Sequence, residues 1–306
     1  MADDFANPPQ IGELDHLALK RKDGVSTKDC KEVWCCPGCK VLFPPRRNLL
    51  VDLPEYECPT CHQKNPTAHD WKIPDRVVNG VPLEFMVYDQ GATRHCVMYS
   101  SVAAMDAARR VQGAVCGISK CTAFDVSSAL HTYEKTTGFE CGSEPTCTTY
   151  GGDTCPLVLT CLKNHGVPYS RGCLDAIDSV GCLKIKDYFM VDKTDINLMK
   201  RLIASGYPLL SGVNIGSLFQ WVSNREVYIT PTLEQGAASH LLALIGSGIG
   251  RNRKGELETY FIARDSAGCN AHSDYQKQGL GGDMCVWASD LYNVWGFRLD
   301  DKMQEG

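Results

Sequence analysis

Hydrophobic spacing after residue 91 predicts helices first and strands later. From Cys96 to Arg110 the chain is rich in alanine, carries Met98 and Val102 on one face, and has no glycine or proline, which predicts a buried helix. Three later stretches combine helical spacing with start and stop residues. They run from a capping box at Thr122 and Asp125 to Gly138, from Asp153 or Thr154 to Gly166, and from Thr194 or Asp195 to Gly206.

The second half of the chain contains short apolar runs separated by Gly, Asn and Pro turns, a pattern typical of strands. The predicted strands are Leu209 to Ile215, Val227 to Ile229, His240 to Ile245 and Tyr260 to Ala263. A helical half followed by a β-rich half predicts an α+β fold.

The N-terminal part of the chain lacks this periodicity. Residues 1–29 are polar and predict a tail or a loose first helix, whereas residues 30–66 are rich in cysteine and proline and have no core of their own. We therefore predict three units, namely a tail (1–29), a small four-cysteine module (30–66) and one large domain (67–306).

Composition and charge narrow the range of partners. The chain has 306 residues, 43% of them hydrophobic, and its formal net charge of −5 is not concentrated in blocks of like charge. Neither a nucleic-acid surface nor a polybasic membrane patch is predicted. The polar start and the lack of an apolar run as long as a bilayer predict a cytoplasmic or nuclear protein that acts on peptides or small molecules.

Seventeen cysteines in such a protein are expected to be metal ligands, nucleophiles or buried thiols rather than disulfides. Two C-x2-C pairs within residues 30–66 have the spacing of a tetrahedral zinc site. The predicted ligands are Cys36, Cys39, Cys58 and Cys61. Cys35 can replace Cys36, and His62 can replace Cys61. Because four thiolates fill the coordination sphere, we expect one structural Zn²⁺ per chain, in a module that braces the domain, covers a cleft or recruits a protein partner.

Cys96 opens the first predicted helix, where the positive end of the helix dipole favours a thiolate. Gln90 lies six residues earlier, at a distance in sequence from which its side-chain amide can fold back as an oxyanion donor. Taken alone, Cys96 also fits an ordinary buried cysteine of a helix.

Residues 89–101 resemble the nucleophile motif of the papain-like cysteine peptidase family, in which a DQG turn precedes the catalytic cysteine. Residues 239–246 are similar to the family's catalytic-histidine segment, and residues 260–268 to the strand with its third catalytic residue. The resemblance extends from about residue 68 to 297. It implies a two-lobed fold, with a helical lobe around the nucleophile helix and a β-barrel-like lobe.

The resemblance also implies a role for each matching residue. Cys96 would attack an amide carbonyl, His240 would transfer the proton, and Asp265 would orient the imidazole ring. Gln90 and the backbone N–H of Cys96 would hold the oxyanion, without a cofactor for catalysis. The residues implied in substrate binding are Gly151, Gly152 and Ser239.

Several positions depart from the family pattern. Asp265 stands where the family has asparagine, and Val97 and Ala267 stand where it has tryptophans, so the site is expected to be roomier. A Cys–His–Asp triad also occurs in acyltransferases. The alternatives to a peptidase or amidase are therefore a papain-like acyltransferase and a catalytically weak binding module.

Two smaller alternatives concern individual residues. His95 and His272 are alternative bases, although His95 adjoins Cys96 in sequence and should diverge from it on a helix. Of the family's disulfides, a pair between Cys182 and either Cys141 or Cys147 is the one that the resemblance still allows.

Overall fold

The structure, a computed structural model, describes eleven stretches of the chain. They are residues 34–35 and 42–43 (backbone only), 71–93, 95–118, 121–138, 155–170, 180–217, 219–224, 226–231, 238–273 and 281–300. The predicted zinc ligands Cys36, Cys39, Cys58 and Cys61 lie outside the described residues, as do Gly151 and Gly152. Within these stretches, no helix has both the length and the apolar character needed to cross a bilayer.

Four α-helices occur in the described part of the chain: α1 (Cys96–Val115), α2 (Val126–Thr137), α3 (Cys155–Asn164) and α4 (Ile196–Ala204). All four were expected from the sequence, although α1 continues to Val115 rather than ending at Arg110. The glycines expected at their ends, such as Gly138 with φ 67°, adopt the left-handed conformation that stops a helix.

The start of α2 differs from the prediction. The carboxylate of Asp125 accepts a hydrogen bond from the backbone N–H of Ser128 at 3.1 Å and is itself the N-cap. Thr122 was expected to cap this helix and that prediction is wrong, because Thr122 precedes the helix by several residues and its carbonyl accepts a hydrogen bond from Arg109. Asp195, by contrast, caps α4 as predicted.

Fourteen strands complete the described fold. They are β1 (Trp34–Cys35), β2 (Leu42–Phe43), β3 (Trp71–Lys72), β4 (Val77–Val78), β5 (Val81–Pro82), β6 (Val167–Ser170), β7 (Val180–Leu183), β8 (Ile185–Val191), β9 (Leu209–Ile215), β10 (Val227–Tyr228), β11 (Ala238–Arg251), β12 (Leu257–Arg264), β13 (Asp283–Trp287) and β14 (Tyr292–Leu299). The main sheet has the order β10-β13-β12-β11-β9-β14-β8, and β3 also pairs with β11. Its pairs are antiparallel except β10 with β13. The architecture is therefore a mixed α+β fold, as predicted.

The strand β11 is much longer than the predicted run from His240 to Ile245. Glycines at alternate positions from Gly246 onwards hide its continuation in the sequence. A Cβ at Gly246 would lie 2.1 Å from the carbonyl oxygen of Trp71, and one at Gly248 would lie 2.3 Å from the ring of Tyr260. These positions of the strand are glycines because neighbouring groups occupy the space that a side chain would need.

The helix α1 lies between two groups of buried side chains. Val97, Met98 and Val102 join a core formed with α2 and α3, whereas Val111 and Ala114 join a second core formed with α4 and the sheet. The prediction of a buried central helix is confirmed. Packing on both sides fixes the position of its first residue, Cys96.

Candidate active site

Cys96 is the first residue of α1 and is 8% exposed. The first turn contains no acidic residue, and the N-cap residue His95 makes no capping hydrogen bond through its side chain. The backbone N–H groups that begin a helix lack partners within it and carry the positive end of the dipole. Both features favour a negative charge on the thiol of Cys96.

Hydrogen bonds between α1 and the backbone of β11 hold His240 next to this helix. Strand β12 pairs with β11 only from Ala243 onwards, which leaves one edge of the earlier part of β11 available to α1, while its other edge pairs with β9. The hydroxyl of Ser100 donates a hydrogen bond to the carbonyl of Leu241 at 2.7 Å, and the N–H of Leu241 is a donor to the Cys96 thiolate. Helix and strand are thus joined directly at the site.

Cys96 and His240 stabilise each other's charged forms. Burial raises the pKa of the Cys96 thiol, but the charge of His240 and hydrogen bonds from His240 and Leu241 outweigh burial, so the pKa is lowered. Burial lowers the pKa of His240, but Asp265 and Cys96 outweigh it and raise the pKa to about 10. Both shifts favour a thiolate on Cys96 paired with an imidazolium on His240.

Asp265 follows the last residue of β12 and is 1% exposed. The Nε2–H of His240 donates to its Oδ1 at 2.6 Å, and the backbone N–H of Ser266 donates to the same oxygen at 2.7 Å. Burial acts to raise the pKa of Asp265, but the charge and hydrogen bond of His240, together with those of His272, lower it well below its usual range. An ionised Asp265 thus fixes the ring of His240.

Sequence reasoning missed the actual contacts of His272. We considered it as an alternative base, but its two ring nitrogens lie 3.0 Å from Asp265 Oδ2 and 3.0 Å from the carbonyl oxygen of Val222. The ring is fully buried and therefore does not replace His240 as a base. Its loop context, rich in Ser, Gly and Asn, contains no signal that points to Asp265.

His95, the other alternative base, points elsewhere. Its Nε2 lies 3.8 Å from Glu134 Oε1 on α2, and burial lowers its pKa despite the opposing charge of Glu134. Its divergence from Cys96 agrees with the expectation for adjacent residues on a helix.

The loop that carries Gln90 is attached to the turn after Asp265. The backbone N–H of Gln90 donates to the carbonyl of Ser266 at 2.8 Å, and the hydroxyl of Ser266 donates to Oε1 of Gln90. Nε2 of Gln90 donates one hydrogen to the carbonyl of Thr93 at 2.8 Å. Because an amide nitrogen has two hydrogens, the second remains as a donor for a ligand.

Ser239, predicted to bind substrate, immediately precedes His240 on β11. Its hydroxyl contacts the hydroxyl of Tyr292, which also donates to the carbonyl of Val213 at 3.3 Å. Among the described residues, the interaction of the Ser239 side chain is therefore with β14 of the sheet.

The remaining thiols of the described residues differ from Cys96. Complete burial raises the pKa of Cys155 far above that of an ordinary thiol, and burial also raises that of Cys161. The disulfide considered for Cys182 is wrong, since Cys182 is a free thiol and its Sγ lies 3.0 Å from the carbonyl oxygen of His165. No group of three or more potential ligands within the described ranges could hold a metal ion.

The arrangement supplies the parts of nucleophilic acyl chemistry. A thiolate at a helix start faces an imidazolium, a carboxylate holds the far side of that ring, and an amide donor is held on the loop bonded to the same turn. Such a set can attack a carbonyl carbon and return the proton to a leaving group.

Comparisons with known proteins found similarity to solved structures only. No family model and no curated protein matches it. Among solved structures, it is similar to the SERA5 proenzyme from Plasmodium falciparum, with 14% identity, a TM-score of 0.48 and coverage of 72% of this chain and 63% of that chain, less than two thirds. It is similar to digestive procathepsin L 3 of Tenebrio molitor larval midgut, with 14% identity, coverage of 83% and 75%, and a TM-score of 0.49. It is also similar to procathepsin B S9 from Trypanosoma congolense, with 11% identity, coverage of 78% and 79%, and a TM-score of 0.48. Similarities of this size establish neither a family nor an activity for this chain.

Proposed function

We propose that this chain is a papain-like cysteine peptidase or amidase that hydrolyses peptide or amide bonds through a thioacyl-enzyme on Cys96. The supporting observation is the alignment of a helix-start thiolate with His240, whose Nε2 lies 2.6 Å from Asp265 Oδ1. The residues come from three separate segments of the chain. A buried ion pair of this kind is costly unless its members are mutually satisfied, and such sites are frequently functional.

The first half of the proposed reaction acylates Cys96. Its sulfur forms a bond to the carbonyl carbon, and the electron pair of the carbonyl moves to oxygen, where the amide of Gln90 and the N–H of Cys96 donate hydrogen bonds. The imidazolium of His240 then gives its proton to the leaving nitrogen, and the carbon–nitrogen bond breaks.

The second half releases the acid. Neutral His240 takes a proton from water, the resulting oxygen nucleophile attacks the thioester, and the carbon–sulfur bond breaks to restore the thiolate. Asp265 keeps the ring of His240 in one orientation through both halves. Acyl transfer to an amine or hydroxyl would use the same thioester, with the acceptor in place of water.

The test of the nucleophile is intact-mass spectrometry after incubation with a papain-type epoxide inhibitor, followed by peptide mapping. We expect one adduct per chain, on Cys96, because its thiolate is stabilised and the thiols of Cys155 and Cys161 are not. An adduct that maps first to another cysteine would contradict the proposed site. Product analysis with and without an added amine then separates hydrolysis from acyl transfer.

The module of residues 30–66 is proposed to hold the structural zinc. Strands β1 and β2 pair antiparallel, with Trp34 opposite Phe43, and they flank in sequence the first C-x2-C pair. Their pairing brings the two ends of the segment that carries this pair close together, which suits two thiolates that bind one ion. Four soft sulfur donors fit Zn²⁺, and as a closed set they would supply folding energy rather than catalysis.

Elemental analysis of protein purified without added metal is expected to find about one zinc per chain. Cys39→Ser should lower this content, whereas Cys116→Ser, which changes an exposed thiol at the end of α1, should leave it unchanged. A strong chelator should unfold the N-terminal module, because metal binding supplies its folding energy. Protein that lacks zinc from the start would refute the prediction.

A further inference from the structure

His272 is held by four hydrogen bonds next to the candidate site. It has a left-handed backbone (φ 57°), which is uncommon outside glycine but enriched in histidine. Its backbone N–H donates to the carbonyl of Gln220, and its own carbonyl accepts from Asn224. Its ring bonds Val222 on one side and Asp265 on the other. These contacts join segment 219–224 to the carboxylate that holds His240.

The same segment packs an aromatic ring against both histidines. The centroid of Phe219 lies 5.3 Å from that of His240 and 5.0 Å from that of His272, each with edge-to-face geometry. Phe219 itself is buried. The two imidazole rings therefore lie on either side of one carboxylate and share one apolar neighbour.

The hydrogen-bond partners of His272 determine how many protons its ring carries. The carbonyl of Val222 can only accept, so Nδ1 must be the donor. Asp265 is ionised and can also only accept, so Nε2 must be a donor too. A ring that donates from both nitrogens is an imidazolium, buried in contact with the carboxylate.

Among the residues that the structure describes, few other charges lie near this contact. Segment 219–224 contains no titratable residue. On the loop bonded to the turn after Asp265, Asp89 accepts from the N–H of Gly91 and pairs through its backbone with Ala267. On β13, Asp283 is bound by Arg264 and Lys72.

Beyond His272, the charged groups acting on Asp265 include His240 and, on the far side of His240, Cys96. Cys269, on the same turn as His272, is exposed. The charge on His272 is therefore directed at Asp265.

We propose that His272 is a positioning residue of the Cys96–His240 pair, which holds the second oxygen of Asp265 with a protonated ring and offsets part of the charge that Asp265 presents to His240. The inference deepens the proposed function and rests on it for the role of His240. It also accounts for an aspartate at position 265, because only a carboxylate accepts from two protonated rings at once. An asparagine would accept from one ring and donate to the other.

Removing the charge of His272 is expected to make His240 hold its proton to higher pH. Two variants separate the effect of the His272 charge from the effect of its hydrogen bonds. His272→Gln retains a donor that can reach Asp265, and His272→Asn suits the left-handed backbone and can retain the bond to Val222. Both lack the cation, so both should shift His240 in the same direction.

The measurement is the rate of Cys96 alkylation by iodoacetate as a function of pH. An anionic reagent is attracted while His240 is protonated, so its rate falls on the alkaline side as that proton leaves. We expect this alkaline limb to move up by about one pH unit in both variants. The reason is that removal of a like charge at short range raises the pKa of His240 by about that amount. Profiles that superimpose on the wild type, or that move down, would overturn the proposal.

Two controls make the result specific. In Asp265→Asn the amide can donate to Nε2 of a neutral His272, so adding His272→Gln to that background should produce no upward shift. In the unmodified protein, ¹⁵N spectra of the histidine rings should show both nitrogens of His272 protonated at neutral pH. A ring with one unprotonated nitrogen would refute the inference even if the epoxide adduct forms on Cys96. If no amide is cleaved but the limb shifts, the electrostatic role of His272 stands and hydrolysis is the part that fails.

Discussion

Cys96→Ala is expected to abolish turnover of any peptide or amide substrate, with a loss of at least ~10³-fold in kcat/KM, because loss of a nucleophile removes the covalent route entirely. The fold should remain. The substitution removes one buried sulfur from a helix of twenty residues that is packed on both sides, a change that costs of order 1 kcal/mol. Activity and thermal unfolding are measured on the same preparations.

Cys116→Ala is the matched control. Cys116 follows the last residue of the same helix and is exposed, so it has neither the positive helix end nor His240 as a neighbour. We expect full activity and one epoxide adduct in this variant, and no adduct in Cys96→Ala. Residual turnover in Cys96→Ala near the level of the parent protein would require another nucleophile.

Asp265→Ala is expected to lower kcat/KM by about 10²-fold or more, since nothing then fixes the ring that carries the proton. Asp265→Asn should lose less than about tenfold, because the amide oxygen accepts the same Nε2–H and the exchange of a charged for a neutral acceptor costs ~1 kcal/mol. The comparison of the Asp265→Ala and Asp265→Asn variants therefore separates the effect of orienting the His240 ring from the effect of the Asp265 charge.

The pH dependence of Asp265→Asn has a definite sign. Burial lowers the pKa of His240 and Asp265 raises it, so removal of the carboxylate charge must lower it from about 10. The thiolate–imidazolium pair then breaks up at lower pH, and the alkaline limb of Cys96 alkylation should move down by one unit or more. Superimposable profiles for the parent, Asn and Ala proteins would mean that Asp265 does not act on His240.

Much of the helical half of this fold is predictable from local signals. Asp195 caps α4 as expected and Gly138 ends α2, because a cap depends on a few adjacent residues. The sheet is less predictable. Strands β8, β13 and β14 were not recognised, and glycines hid half of β11, because these segments are strands through pairing with distant residues.

The candidate site likewise has residues that the sequence predicts and contacts that it does not. Cys96, His240 and Asp265 were found because each lies in a motif of contiguous residues, and the structure brings the three together. The contacts of His272 depend on a turn that returns its ring to Asp265 and on a segment fifty residues away, at Val222. Periodicity and motif spacing contain no information on such a contact.

The hydrogen bond between Ser100 and Leu241 joins residues 141 positions apart in sequence. This separation determines when, during synthesis of the chain, Cys96 can become reactive. On a ribosome that adds roughly 5–20 residues per second, the nucleophile helix would be made about 7–30 s before the strand that activates it. Until then Cys96 has no His240 beside it and reacts like an ordinary thiol. In a chain with this order of residues, Cys96 therefore gains its enhanced reactivity only after β11 has been synthesised and has packed against α1.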